Sequence, residues 1–102
     1  MARRSKSPIA QALVQLESPR IKALSEDALR ALQLGMYEQA ETLISEAIAI
    51  APDLGPLLAT RARALVRMNQ YDKAQADIEQ AIASWPNPQP LWYVTLALVH
   101  RG

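Results

Sequence analysis

The chain has 102 residues, a formal net charge of +1, a hydrophobic share of 50% and no cysteine. This length predicts a single domain with a modest core. The absence of cysteine excludes a disulfide framework, a thiolate nucleophile and a cysteine zinc site, and the small net charge gives no global attraction to nucleic acid or anionic lipid. No apolar run approaches the roughly 20 residues of a membrane span. We therefore expect a cytoplasmic protein, and the alanine-rich, glycine-poor composition predicts an all-α fold.

The amino-terminal stretch MARRSKSP is basic and contains serine. It precedes IAQALVQL, which is too short and too rich in glutamine for the apolar core of a signal peptide. We favour a frayed, solvated terminus, and an organelle-targeting role stays open as the weaker alternative. We expect residues 1–19 to form a basic, partly flexible extension, with a short helix near 9–17, before a folded domain of residues 20–102.

Two stretches of the chain repeat each other 34 residues apart. MYEQAETLISEAIAIAP, residues 36–52, has the same pattern as QYDKAQADIEQAIASWP, residues 70–86. Small and apolar residues at helical spacing predict packing positions, because closely crossing helices have room only for small side chains. The positions that keep their identity are Tyr37, Ala40, Ile44, Ala47, Ile48, Ala49 and Pro52, which recur as Tyr71, Ala74, Ile78, Ala81, Ile82, Ala83 and Pro86.

The helices are predicted in pairs, and each pair encloses a short turn. Gly35 and Asn69 occupy equivalent places in the two turns, and both residue types tolerate the left-handed conformation that closes a helix. Proline suits the first turn of a helix and biases the residue before it away from helix. Pro56 and Pro90 accordingly mark starts, Pro52 and Pro86 mark ends, and the predicted helices cover residues 20–34, 37–50, 55–68, 71–84 and 89–100.

The 34-residue period, the helix–turn–helix units and the closing proline resemble the tetratricopeptide repeat family. The resemblance covers residues 21–102. It implies an α-solenoid of two repeats, about 21–54 and 55–88, followed by a closing helix at 89–100.

The first helices depart from the family pattern at one position. Where the family usually has leucine, this chain has Asp27, Arg61 and Thr95. We expect Asp27 and Arg61 to form an ion pair across the repeat interface. Tyr37 and Tyr71, just after each turn, are expected to pack over the helix junction with their hydroxyls outward.

The sequence predicts no catalytic site, cofactor or metal. His100 is the only histidine, so neither a metal cluster nor a serine–histidine–aspartate relay has enough members. Its place near a helix C-terminus suits a cation instead. The three glycines are dispersed and form no phosphate loop. Carboxylates such as Glu38, Glu41, Asp72 and Asp77 fall on predicted polar faces, where solvation explains them.

By the resemblance, the first helices line a concave groove that binds a partner. The groove is expected to be partly apolar, with arginines that add positive charge. A protein or peptide with apolar anchors and acidic residues would fit such a surface. The predicted groove residues are Leu29, Leu32, Gln33, Ala59, Thr60, Arg63, Val66, Arg67, Tyr93, Val94, Ala97 and Arg101.

The favoured function is thus a protein–protein interaction module of the scaffold type, and two alternatives stay open. A dedicated chaperone for a secreted or aggregation-prone subunit would use the same groove. RNA binding is disfavoured, because the chain repeats no set of base-reading residues. A heat-shock co-chaperone role is disfavoured as well, because the lysines and asparagines that hold a terminal carboxylate in such family members are here Ser25, Leu29, Thr60, Pro90 and Val94.

The last predicted helix, LWYVTLALVHR, is apolar nearly all round, which is typical of a buried helix. Repeat arrays usually finish with a helix that is polar on its outer side. We therefore expect an exposed face that mediates self-association or binds a partner, unless the chain is a fragment of a longer array. Its residues are Leu91, Trp92, Leu96, Leu98 and Val99.

Overall fold

The computed structural model of the protein describes residues 18–101. Over this range the chain forms five α-helices and no strand, which confirms the predicted all-α class. The predicted helix near 9–17 lies outside the described residues, as does the basic extension up to residue 17. The helices are α1 (Pro19–Gln33), α2 (Tyr37–Ile50), α3 (Gly55–Arg67), α4 (Tyr71–Ser84) and α5 (Pro90–Arg101).

Both short turns have the conformation that the sequence predicts. Gly35 has φ +79° and Asn69 has φ +63°, so each lies in the left-handed region. The same hydrogen bond closes both turns, from the Met36 amide to the Ala31 carbonyl at 2.8 Å and from the Gln70 amide to the Leu65 carbonyl at 2.9 Å. These bonds satisfy carbonyls that a helix end leaves unpaired.

Prolines bound the helices as predicted. Pro56 lies in the first turn of α3, and Pro90 is the first residue of α5. After α2 and α4 the chain leaves helical geometry at the residue before a proline, with φ −137° at Ala51 and ψ 136° at Trp85.

Neighbouring helices pack against each other in chain order. α1 packs on α2 and α3 packs on α4 within the pairs, while α2–α3 and α4–α5 contacts join one pair to the next. α3 also contacts both α1 and α5, so the three first helices lie side by side. The resulting array measures 49 × 26 × 19 Å.

Alanines lie where the helices cross, as the repeat pattern predicts. Ala40 and Ala74 are fully buried, and so are Ala47 and Ala81 about two helical turns further along. Ile44 and Ile78 are fully buried too, whereas Ile48 and Ile82 are half-buried. Small side chains at these crossings let the backbones approach closely, and the larger apolar residues fill the space beside them.

Two residues that we expected on the outer face of α5 are instead buried. Trp92 is 4% exposed and Val99 is 3% exposed, because both pack into the cluster formed by α3 and α4. Leu96 is partly buried against the same cluster. Leu91 and Leu98 are exposed, as predicted. The inward face of α5 therefore completes the core of the second helix pair.

Candidate partner-binding groove

One groove runs along the side of the molecule formed by the first helices. Its cavity volume is about 210 Å³, which holds a few side chains and is smaller than a typical small-molecule pocket of about 300–1,000 Å³. We call it the first-helix groove. Its lining residues are Leu32 of α1, Tyr37 of α2, Arg63, Val66 and Arg67 of α3, and Leu91, Val94, Thr95 and Leu98 of α5.

The apolar part of the groove is most exposed on α5. Leu91, Val94 and Leu98 are 50%, 53% and 42% exposed. Their spacing of three and four residues places them on one face of the helix. Leu32 and Val66 are half-buried and continue the apolar surface onto α1 and α3. The groove therefore offers a connected apolar stripe.

Two arginines give the same groove its charge. Arg63 and Arg67 are exposed and lie one turn apart on α3. The guanidinium carbon of Arg67 lies 6.0 Å from the centre of the Tyr37 ring, within range of a cation–π contact. Over residues 18–101, no carboxylate lies within 4.0 Å of either guanidinium. The groove thus presents positive charge without an acidic partner inside the described fold.

The structure brings five of the twelve predicted groove residues together in this cavity. Four others are exposed but lie outside its lining. Thr60 is half-buried, and its hydroxyl donates to the Pro56 carbonyl at 2.9 Å. The five that line the groove are Leu32, Arg63, Val66, Arg67 and Val94, and the four exposed outside it are Leu29, Gln33, Tyr93 and Ala97.

The prediction for Ala59 is wrong. Ala59 is 2% exposed and belongs to the core cluster with Leu58 and Trp92, so it does not reach the groove. The closing helix covers this part of α3. The side chain of Arg101 lies outside what the structure describes.

Four lining residues were not assigned to the groove from the sequence. The sequence predicts Leu91 and Leu98 on a separate terminal face, but they line the same cavity as Val66. Tyr37 was expected over the helix junction, and its ring also reaches the groove beside Arg67. Thr95 departs from the family pattern, but the sequence does not indicate that it lines the groove. The helical spacing of Leu91, Val94 and Leu98 was the available signal that these residues belong together.

The ion pair expected between Asp27 and Arg61 does not form. Asp27 accepts a hydrogen bond from Arg30 on its own helix at 3.2 Å. Arg61 instead donates to Asp77 of α4, from Nε to Oδ2 at 2.7 Å and from Nη2 to Oδ1 at 3.0 Å. Asp77 is 8% exposed, so its expected place on a solvated face is also wrong. The Arg61 side chain points towards the second helix of its own repeat.

Arg61 belongs to a polar network that joins three helices. Its Nη1 donates to the Ser45 hydroxyl at 3.3 Å, and that hydroxyl donates to Glu41 at 2.8 Å. The hydrogen bonds to Asp77 raise the pKa of Arg61, although burial acts in the opposite direction. Three members of this network, Glu41, Arg61 and Asp77, line a wider cleft of about 680 Å³ together with Glu38. The network links α2, α3 and α4 through hydrogen bonds between side chains.

No group of three or more histidine, cysteine, aspartate or glutamate side chains is placed to hold a metal ion in residues 18–101. His100 lies 4.0 Å from the Glu79 carboxylate, and both side chains are about half exposed. None of the five helices is long and apolar enough to cross a membrane.

Comparison with known proteins agrees with this architecture. A tetratricopeptide repeat family model matches residues 31–97, which is more than half of the chain. No curated protein and no solved structure gives a significant match. Repeats of this family are generally protein–protein interaction modules and are typically not catalytic. The family match, the paired helices and the two equivalent left-handed turns lead to one conclusion: the chain belongs to the tetratricopeptide repeat family.

Proposed function

We propose that this protein is an interaction module that binds a segment of a partner protein in the first-helix groove. The observation that carries this proposal is the coincidence of an exposed apolar stripe with two arginines that have no carboxylate partner within residues 18–101, all in a single groove. Exposed apolar residues that cluster beside charged ones are typical of protein interaction sites. A partner with apolar anchors and acidic side chains satisfies both parts of this surface.

Affinity capture with matched variants tests the proposal. Leu98→Asp places a charge in the apolar stripe, and we expect it to abolish recovery of proteins that bind the wild type. Leu34→Asp is the control, because Leu34 is 67% exposed and does not line the groove. Circular dichroism of both variants verifies that they are folded. Equal recovery with Leu98→Asp, Leu34→Asp and wild type would overturn the assignment of the groove.

A scaffold and a dedicated chaperone would use the same groove, and the exposure of Leu91, Val94 and Leu98 suits either. The two roles differ in what the partner requires. A chaperoned partner aggregates when it is expressed without this protein, whereas the partner of a scaffold stays soluble. Co-expression of the captured partner with wild type and with Leu98→Asp therefore separates the roles.

Nucleic acid binding is the alternative to protein binding in this groove. It would use Arg63 and Arg67 for phosphate contacts, and its affinity would fall steeply with salt. Protein binding anchored on Leu98 should depend less on salt. Titration with single-stranded RNA at low and moderate salt discriminates the two, and salt-sensitive binding that Leu98→Asp leaves intact would favour RNA.

A further inference from the structure

The apolar and charged residues of the first-helix groove are arranged in a way that restricts which kind of partner segment can bind there. We propose, on the basis of the function proposed above, that the occupant is an amphipathic α-helix that lies along α5 and turns a row of acidic side chains towards Arg63 and Arg67. The inference rests on the spacing of the apolar stripe, on the position of the two arginines beside it and on the scarcity of backbone-binding groups in the groove.

The apolar stripe on α5 has the spacing of a helix-packing seam. Leu91, Val94 and Leu98 are separated by three and four residues. This is the a/d pattern by which one helix packs side chains between those of another. At 1.5 Å per residue the stripe is about 10 Å long, or two helical turns. A partner helix with apolar residues at the same spacing would cover it.

The arginines lie beside that seam on the neighbouring helix. Arg63 and Arg67 are four residues apart on α3, hence about 6 Å apart along its axis. α3 and α5 are in contact and contribute to the same cavity. Carboxylates spaced four residues apart on an occupant helix would face both guanidinium groups while the apolar residues of that helix cover the stripe.

The groove favours a helix over an extended peptide. Its polar lining, apart from the arginines, consists of Tyr37 and Thr95. The Thr95 hydroxyl already donates to the Leu91 carbonyl at 3.2 Å. An extended peptide needs partners for its backbone amides and carbonyls, and the described part of the chain offers it no strand edge. A helix satisfies its own backbone hydrogen bonds and needs only side-chain contacts.

Charge argues for a different chain as the occupant. In a symmetric dimer the same patch of both copies meets at one interface. A contact through Leu91, Val94 and Leu98 would then place the Arg63 and Arg67 pairs of both copies at the same interface, and like charges at an interface are unfavourable. An acidic helix from another protein replaces this repulsion with attraction.

Three synthetic helical peptides of about 15 residues test the inference, a length at which an isolated helix can form. All carry leucine at a/d spacing, and they differ only in the flanking row, which is glutamate, glutamine or lysine at positions four apart. Fluorescence anisotropy with the wild-type protein should rank them glutamate, glutamine, lysine. Two charge pairs at the rim of an interface correspond to about a twofold to thirtyfold preference for glutamate over glutamine.

Charge reversal in the protein makes the test specific. The double variant Arg63→Glu/Arg67→Glu should invert the ranking, so that the lysine peptide binds best. Both arginines are exposed, and circular dichroism verifies that the variant folds. Leu98→Asp should bind none of the three peptides, whereas Leu34→Asp should bind them with the affinity of the wild type. A proline in the centre of the glutamate peptide should abolish its binding, since proline breaks the helix.

The outcomes separate this inference from the proposed function. If Leu98→Asp loses captured proteins but no peptide binds, or if the proline peptide binds as well as its parent, the groove holds a partner of other chemistry and the helix inference is overturned. If neither captured proteins nor peptides respond to Leu98→Asp, both proposals are wrong. Sedimentation of the wild type and of Leu98→Asp, each without peptide, tests whether the occupant is a second copy of the chain. Self-association of the wild type that Leu98→Asp abolishes would assign the groove to that second copy and overturn the helix inference.

Discussion

The guanidinium of Arg61 on α3 donates two hydrogen bonds to the carboxylate of Asp77 on α4, at 2.7 and 3.0 Å. The two side chains are only 26% and 11% exposed. The pair therefore lies between the two helices of the second repeat. Arg61 occupies the position where the family pattern usually has leucine. The planar guanidinium can donate two hydrogen bonds to one carboxylate, a geometry that lysine does not reproduce.

Removal of Arg61 should destabilise the protein. Arg61→Ala leaves Asp77 with its charge largely buried and without its main partner, so we expect the free energy of unfolding to fall by about 2 to 3 kcal/mol. Arg30→Ala is the control, because Arg30 pairs with Asp27 at an exposed site and should cost at most about 0.5 kcal/mol. Urea denaturation measures both.

Replacement of both charged partners by apolar residues should restore much of the loss. In Arg61→Met/Asp77→Leu no charge is left buried, and an apolar pair of similar volume is often neutral or stabilising. A double-mutant cycle with the single variants gives the coupling energy. Additive losses would mean that the two side chains do not act as a pair.

The contribution of this pair should not change as pH rises from neutral into the mildly alkaline range. Hydrogen bonding to Asp77 raises the pKa of Arg61 in the folded state. A raised folded-state pKa gives stability that is present below the unfolded-state pKa and is lost only as pH rises through the folded one. Both lie far above neutral for arginine. A difference between wild type and Arg61→Ala that shrinks over this range would contradict the prediction.

Ala74→Leu should overpack the crossing of the second helix pair. Ala74 is fully buried, so added methylenes force the helices or their neighbours to shift, at a cost of about 1 to 3 kcal/mol. Ala76→Leu is the matched control, because Ala76 is exposed on the same helix. Thermal unfolding should separate the two variants. An equal melting temperature for both would count against close helix contact at Ala74.

Gly55→Ala should destabilise α3 although alanine is the better helix former. A Cβ at residue 55 would lie 2.9 Å from the Cβ of Trp85, and rotation of the indole does not relieve a contact with that atom. We expect a loss of about 1 to 3 kcal/mol in urea denaturation.

Position 35 requires glycine for a different reason. A Cβ there meets no atom within 4 Å, but φ is +79°. Gly35→Asn should therefore be tolerated better than Gly35→Ala, because asparagine adopts the left-handed region at Asn69. Gly55→Asn should bring no such relief. Equal losses for Gly35→Asn and Gly35→Ala in urea denaturation would reject this distinction.

Trp92→Ala should unfold the end of the array, whereas Tyr93→Ala should not. Trp92 is 4% exposed within the core cluster formed by α3 and α4, and its truncation leaves a cavity that costs about 3 to 5 kcal/mol. Tyr93 is 50% exposed, and its loss should cost less than about 1 kcal/mol. Urea denaturation of the two variants compares the two faces of α5. Similar losses would show that α5 is not anchored through Trp92.

The sequence by itself determined the helices, the turns and the buried small residues. The helix bounds agree closely with prediction, and Gly35 and Asn69 have the expected left-handed φ. Ala40 and Ala74 are fully buried as the repeat pattern predicts. These features depend on local backbone preferences and on a periodicity of side chains, and both are readable from residues a few positions apart.

Only the tertiary structure decided which distant side chains meet. It placed Leu98 and Val66 in one cavity, brought Arg67 over Tyr37, and joined Arg61 to Asp77 instead of Asp27. Repeat equivalence says that two residues hold corresponding places. Whether they touch depends on the crossing angles of the helices and on the direction of each side chain, which no period in the sequence specifies.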